Sequence, residues 1–208
     1  MNDFTQSIRF DLRTIAQLIP DKSTVLDLGC GNGDLLAWLE INKKVRGVGV
    51  ECNPQKAAHC IERGLSVLQG DLNNEVDDYP DDSFDYVILS QTLQQVYEPA
   101  RLLHSLSRIG RRVVVSFPNF SHYSIRFQLL MKGIAPRSKE LPYHWYDTPN
   151  IRVITLCDFR QFTKDVGYKI IKEIAIQTSS TNTQGKIISC GKPFRATYGI
   201  YIIEKPKH

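Results

Sequence analysis

No apolar run in the 208-residue chain approaches the eighteen or so residues that span a bilayer, and Met1-Asn2-Asp3-Phe4 lacks a basic region followed by an apolar core. Neither a membrane helix nor a secretory leader is expected, which points to the cytoplasm and to no membrane partner. The five cysteines, Cys30, Cys52, Cys60, Cys157 and Cys190, are odd in number and include no C-x-x-C pair. That leaves neither a disulfide framework nor a metal site to expect, and reduced thiols fit the cytosol. Repeats, low-complexity segments and Gly/Ser/Pro linkers are lacking too, so residues 1–208 read as one domain. The net charge is only +4, and Arg108, Arg111 and Arg112 form the one tight basic cluster besides the Lys205/Lys207 tail. Without aromatic interleaving it reads as a solvated helix end, and no nucleic-acid partner is expected.

What the chain does have is regular alternation. Residues 4–19 place Ile8, Leu12, Ile15 and Ile19 on one helical face. A strand at 24–28, a helix with Leu35, Leu36 and Leu39, and a strand from Val45 to Glu51 follow. Asn53-Pro54 predicts a capped helix that Gly64 stops, then come strands at 66–69 and 84–89, a helix opening at Pro99, and a strand from Arg112 to Phe117. Strand and helix in turn predict a parallel, doubly wound α/β sheet. Later, Thr155 caps a helix with Asp158 reaching back, and Gly167 ends it. The β-rich segments 169–176 and 196–203 are expected to pair as neighbours.

Ligands of open α/β sheets sit outside the carboxyl ends of the strands. The first strand runs into Asp27-Leu28-Gly29-Cys30-Gly31-Asn32-Gly33, where close glycines let the backbone turn sharply and admit a ligand. A dinucleotide fingerprint needs glycine at position 34, which is Asp34, and a carboxylate at 27 repels a pyrophosphate. An acid two residues before the first glycine suits a ligand carrying positive charge.

Asp27-x-Gly29-x-Gly31-x-Gly33 resembles motif I of the class I S-adenosylmethionine-dependent methyltransferases. The resemblance implies their Rossmann-like doubly wound sheet, mostly parallel with an antiparallel C-terminal strand, and S-adenosylmethionine or S-adenosylhomocysteine as ligand. It assigns Glu51 to the ribose hydroxyls, with Cys52 beside it, Asp71 to the adenine amino group, Leu72 to the adenine face, and Leu89-Ser90-Gln91-Thr92, with Ser90 and Gln91 as its ligand-facing residues, to the wall beside the methionine portion. Cys30 reads as a small buried residue of the loop rather than a nucleophile, since methyl transfer needs no covalent intermediate. The Asn/Asp-Pro-Pro-Tyr/Phe motif of amino-group methylases is replaced by Ser90-Gln91-Thr92-Leu93, which argues against adenine or amide methylation.

Past the fifth strand lie two aromatic, proline-punctuated stretches, 116–123 and 141–151. Their aromatics suit a core, a partner-facing surface or an acceptor pocket, with His122 or His144 as a general base in the last case. No catalytic residue is assigned. The blocks Val25-Leu26-Asp27-Leu28-Gly29-Cys30-Gly31, Ile88-Leu89-Ser90-Gln91-Thr92-Leu93-Gln94, Val115-Ser116-Phe117-Pro118-Asn119-Phe120 and Leu141-Pro142-Tyr143-x-Trp145-Tyr146-Asp147-Thr148-Pro149-Asn150-Ile151 resemble the signature of the methionine biosynthesis protein MetW family. The resemblance covers about residues 10–170, leaving Thr178 to Ile203 outside it. It implies a protein that binds an adenosyl ligand and works with homoserine O-acyltransferase. The alternative is an active methyltransferase on a small molecule.

Overall fold

The computed structural model describes residues 8–179 and 182–205. The described strands are β1 (Thr24–Leu28), β2 (Arg46–Glu51), β3 (Val67–Gln69), β4 (Phe84–Ser90), β5 (Gly110–Pro118), β6 (Lys169–Thr178), β7 (Gly185–Ile187) and β8 (Tyr198–Glu204). The helices are α1 (Phe10–Leu18), α2 (Asp34–Lys43), α3 (Pro54–Glu62), α4 (Leu72–Glu75), α5 (Pro99–Ile109), α6 (Tyr123–Lys132), α7 (Leu156–Asp165) and α8 (Lys192–Arg195). Residues 4–7 of the expected first helix, and Lys207, lie outside the described residues.

All eight strands form one sheet in the order β3-β2-β1-β4-β5-β8-β6-β7. The first five are parallel, and the order reverses between β1 and β4. Strand β8 inserts between β5 and β6 and runs antiparallel to both. The two C-terminal segments are therefore neighbours, as expected, and β6 gains a further antiparallel partner in β7.

Side-chain alternation builds the two layers. Leu26, Leu28, Val87, Leu89, Val113 and Val115 face one way and pack under α5 and α7. Val25, Ile88, Val114, Ile200 and Ile202 face the other and meet α1 and α2. Each of these side chains is buried, worth about 1.5–3 kcal/mol for a large aliphatic group. A run such as Val113-Val114-Val115 is apolar throughout because both faces are covered. On the first layer Phe117 stacks on Tyr201 at 5.7 Å, and Phe159 lies 4.6 Å from Tyr201.

Local chemistry sets the boundaries. Asn53 Oδ1 accepts from the N–H groups of Gln55 and Lys56 and so caps α3. Thr155 Oγ1 accepts from Asp158 N–H at 3.1 Å and donates to Asp158 Oδ2 at 2.7 Å, the expected reach-back at α7. The single turns α4 and α8 were not expected, nor were two further elements. Helix α6 is capped by His122, whose Nδ1 accepts from Ser124 N–H at 3.3 Å, and Ile125 is its one buried residue. Strand β7 is three residues long and is recruited by pairing with Ile176, Gln177 and Thr178.

The three arginines of the basic cluster all have partners. Arg108 donates to the carbonyls of Val76, Asp77 and Tyr79 and pairs with Asp81, Arg111 pairs with Asp85, and Arg112 pairs with Glu204.

Candidate functional site

The glycine loop leaves β1 with Gly29 at φ +75°, a left-handed conformation that disfavours any Cβ. A Cβ there would also lie 2.7 Å from Thr92 Oγ1. The loop is held by hydrogen bonds from Gly29 N–H and Cys30 N–H to Val50 O, at 2.8 and 3.1 Å. Gly33 meets a packing limit as well, because a Cβ would lie 2.4 Å from Leu65. These restraints bring the loop beside the end of β2.

There Glu51 organises the surrounding backbone. Its Oε2 accepts from Gly31 N–H at 2.8 Å and its Oε1 from Asn53 N–H at 2.9 Å. A carboxylate offers about four acceptor positions; Oε1 also takes the Cys52 thiol at 3.7 Å, and Oε2 keeps capacity for a hydroxyl donor. Asp27, one strand over, is 3% exposed, and its Oδ1 is buried without a hydrogen-bond partner. Burial first, and the charge of Glu51 second, push its carboxyl up to about 7. Two acids thus lie beside one loop, one engaged with backbone and one with an acceptor unused.

The opposite wall comes from β4. Ser90 Oγ and Ser116 Oγ are 3.0 Å apart. Gln91 adopts φ +55°, its N–H donating to Ser116 O at 2.8 Å while its carbonyl accepts from Gln94 Nε2 at 2.7 Å. Its side chain reaches α1, where Nε2 donates to Asp11 Oδ2 at 2.6 Å. Asp11 is buried and also receives Arg9 Nε at 3.1 Å and Arg9 Nη2 at 2.6 Å.

Between these walls lies a cleft of about 570 Å³ at the carboxyl ends of β1 to β4. Of the residues singled out in the sequence, Gly29, Gly31, Glu51, Cys52, Asp71, Leu72, Ser90 and Gln91 line it. Asp27, Cys30 and Gly33 do not. Cys30 instead points at Gly49, where a Cβ would lie 2.7 Å from its Sγ, and burial pushes its thiol far up. Cys30 is partly buried, less enclosed than the sequence reading expected.

Sequence reasoning missed Asn53 as a wall residue, together with Lys56 and Gln95, while Thr92 lines the cleft beside Ser90 and Gln91. Asn53 had a signal as a helix cap, which occupies its side chain and turns its N–H toward Glu51. Gln95 comes from a single turn, Leu93–Gln95, that leaves no periodic trace. Neither candidate base lines the cleft. His122 is buried as the cap of α6, with burial lowering its pKa, and exposed His144 pairs with Arg137 and stacks on Tyr146. Among the described residues no cluster of three His, Cys, Asp or Glu side chains is placed to hold a metal, and no helix is long and apolar enough to cross a membrane.

The site's residues fit an adenosyl ligand better than a phosphate. Two buried carboxylates border the loop, one with an unused acceptor, where a pyrophosphate site would carry bare N–H donors.

Sheet order, switch point and the antiparallel β8 define a class I S-adenosylmethionine-dependent methyltransferase fold. A methyltransferase from Archaeoglobus fulgidus superposes with TM-score 0.66 over 94% of this chain and 91% of its own, at 18% identity. A possible histamine N-methyltransferase from Thermotoga maritima gives 0.65 over 98% and 89%, also at 18% identity. Within that class, residues 9–203 match the family described as methionine biosynthesis protein MetW, and the chain belongs to it. The match runs through Thr178 to Ile203, a stretch the motifs alone left outside the family; its strands β7 and β8 belong to the same sheet as the rest. The bifunctional methionine biosynthesis protein MetXA/MetW of Rhodopirellula baltica is 36% identical over 81% of this chain. The chain spans 28% of the length of that relative.

Proposed function

We propose that the cleft binds S-adenosylmethionine or S-adenosylhomocysteine, and that the protein acts in methionine biosynthesis together with homoserine O-acyltransferase. The observation that carries the ligand reading is Glu51, whose carboxylate lines the cleft while holding Gly31 and Asn53 by their N–H groups. In that arrangement Glu51 takes the two ribose hydroxyls. Asp71 and Leu72, at the end of β3, take the adenine, and Ser90 and Gln91 flank the methionine portion. S-adenosylmethionine, when bound, supplies an electrophilic methyl carbon on a sulfonium. The chain's own residues orient it and exclude water.

The partner reading is supported by the relative that joins MetXA to MetW in one polypeptide, its MetXA part being read as the acyltransferase. A cytoplasmic location belongs to the same reading, since all five cysteines are free thiols.

Titration calorimetry with both ligands tests the first half. Binding is expected, and Glu51→Ala weakens it by about 1.5–3 kcal/mol, roughly 10- to 150-fold, through loss of a charged acceptor. Absence of heat at millimolar ligand with folded protein refutes the ligand reading. Co-purification with the cognate acyltransferase, and a rise in its turnover on adding this protein, test the second half. Methyl transfer to a small molecule is the competing reading. Radiolabel passing from the donor into a cell extract would establish it.

A further inference from the structure

Apolar surface is distributed unevenly on this molecule. Of the eighteen large apolar side chains left exposed among the described residues, eleven lie between residues 123 and 153. On α6, Tyr123, Phe127, Leu130 and Met131 follow the spacing i, i+4, i+7, i+8, so they share one stripe, and exposed Ile134 follows just past the Gly133 stop. That stripe faces solvent, with Leu130 82% exposed. An apolar stripe at this spacing ordinarily faces a core. Here the only buried residue of the helix is Ile125, off the stripe.

The segment after α6 extends the same face. Gln128 Nε2 donates to Arg137 O at 2.9 Å, and Arg137 N–H returns to Gln128 Oε1 at 3.3 Å, which ties the segment back to the helix. Arg137 then holds His144 at 2.9 Å, His144 stacks on Tyr146, and Trp145 meets Tyr146 edge-on. Trp145 nevertheless stays 76% exposed. Ordered aromatics turned outward beside an apolar helix have the composition of an interface centre.

The charges around this face choose among occupants. Residues 123–153 carry Arg126, Lys132, Arg137, Lys139 and Arg152 against Glu140 and Asp147, most of the chain's net +4. A twofold contact with a second copy would set two such basic rims against each other, which is repulsive. A different protein with an apolar groove and an acidic rim meets no such penalty.

We infer that α6 and the 137–153 segment form one docking face, and that it seats the homoserine O-acyltransferase in an apolar groove rimmed by carboxylates. This rests on the partner named under Proposed function. It makes α6 a helical ridge read through the anchors Tyr123, Phe127, Leu130 and Met131, a helix-in-groove contact. The face leaves the adenosyl cleft free, since none of these residues lines it.

The test uses the purified chain and its cognate acyltransferase, with complex formation followed by calorimetry and by light scattering on a sizing column. Leu130→Glu and Trp145→Ala, each unfolding at the wild-type temperature, are expected to weaken the complex at least tenfold. Ile41→Glu, at an exposed apolar position outside the face, leaves it intact. Wild-type binding that Leu130→Glu and Trp145→Ala do not change overturns the docking face while the partner reading stands. No binding by the wild type overturns both. Self-association that Leu130→Glu abolishes, or binding to phosphatidylglycerol vesicles that it abolishes, overturns the acyltransferase as the occupant.

Discussion

Gln91 Nε2 donates to Asp11 Oδ2 at 2.6 Å, joining two residues eighty positions apart and pinning the wall of the cleft to helix α1. Gln91 pays about 1–2 kcal/mol for a left-handed backbone, and a charged acceptor on its side chain offsets a cost of that size. Asp11→Ala removes that acceptor. The expected loss is about 1.5–3 kcal/mol, a fall in melting temperature of roughly 3–12 °C for a chain of this length. Arg9→Ala, which removes only a half-exposed ion-pair partner, costs less than about 1 kcal/mol. Equal losses in the two variants would mean that the ion pair, not the tie to Gln91, carries the stability.

Asp27 predicts a pH dependence of stability. Its carboxyl is raised to about 7 in the folded protein, against about 3.9 in an unfolded chain. The folded state therefore keeps a proton that the unfolded state gives up. The stabilisation is fully present below about pH 4 and is lost as pH rises through about 7. Asp27→Asn removes the ionisable group, so its stability exceeds the wild type's at pH 8 and the difference shrinks toward pH 4. Urea titrations across that range check it, and parallel profiles for the two proteins would refute it.

Gly29→Ala meets both a left-handed φ and a contact of 2.7 Å with Thr92 Oγ1. The backbone term alone costs about 1–2 kcal/mol. Adding Thr92→Ala relieves the contact and leaves the backbone term. Part of the lost stability and of the lost ligand affinity is therefore expected to return in the double variant, as read by thermal melts and calorimetry.

Asn119 is 1% exposed and joins three segments. Its Nδ2 donates to the carbonyls of Pro193 and Ala196, and its Oδ1 accepts from Ser121 and from Leu156 N–H. Asn119→Ala strands these groups, at about 1–3 kcal/mol for each one left without a partner. A drop in the urea midpoint with an unchanged slope is the expected result. A variant as stable as the wild type would show that water replaces the amide at no cost.

Much of this was legible because local rules and tertiary structure agree where the sheet is built. Runs such as Val113-Val114-Val115, caps such as Asn53 and Thr155, and stops such as Gly64 and Gly167 each carry their own physical signal. Helix α6 hid because its stripe faces solvent and its cap is a histidine. Strand β7 hid because three residues gain strand character only from β6. In the cleft, positions at strand ends could be named from order and spacing. The use of Gln91 could not, since Asp11 reads as an ordinary polar position of an amphipathic helix until the fold brings it near. Asp27 and Gly33 stood in the same motif as Gly31, yet one lies beneath the loop and the other packs on Leu65. Spacing marks a motif but does not say which of its members face the cleft.

The insertion of β8 between β5 and β6 also orders events on the ribosome. β5 and β6 are both translated before the strand that separates them, and Val113 waits for Ile203. In that interval each presents a row of unmatched N–H and C=O groups beside apolar side chains, the condition that invites pairing between nascent chains. A chain halted before Tyr198 is therefore expected in the insoluble fraction, while the same chain continued through Glu204 is recovered soluble.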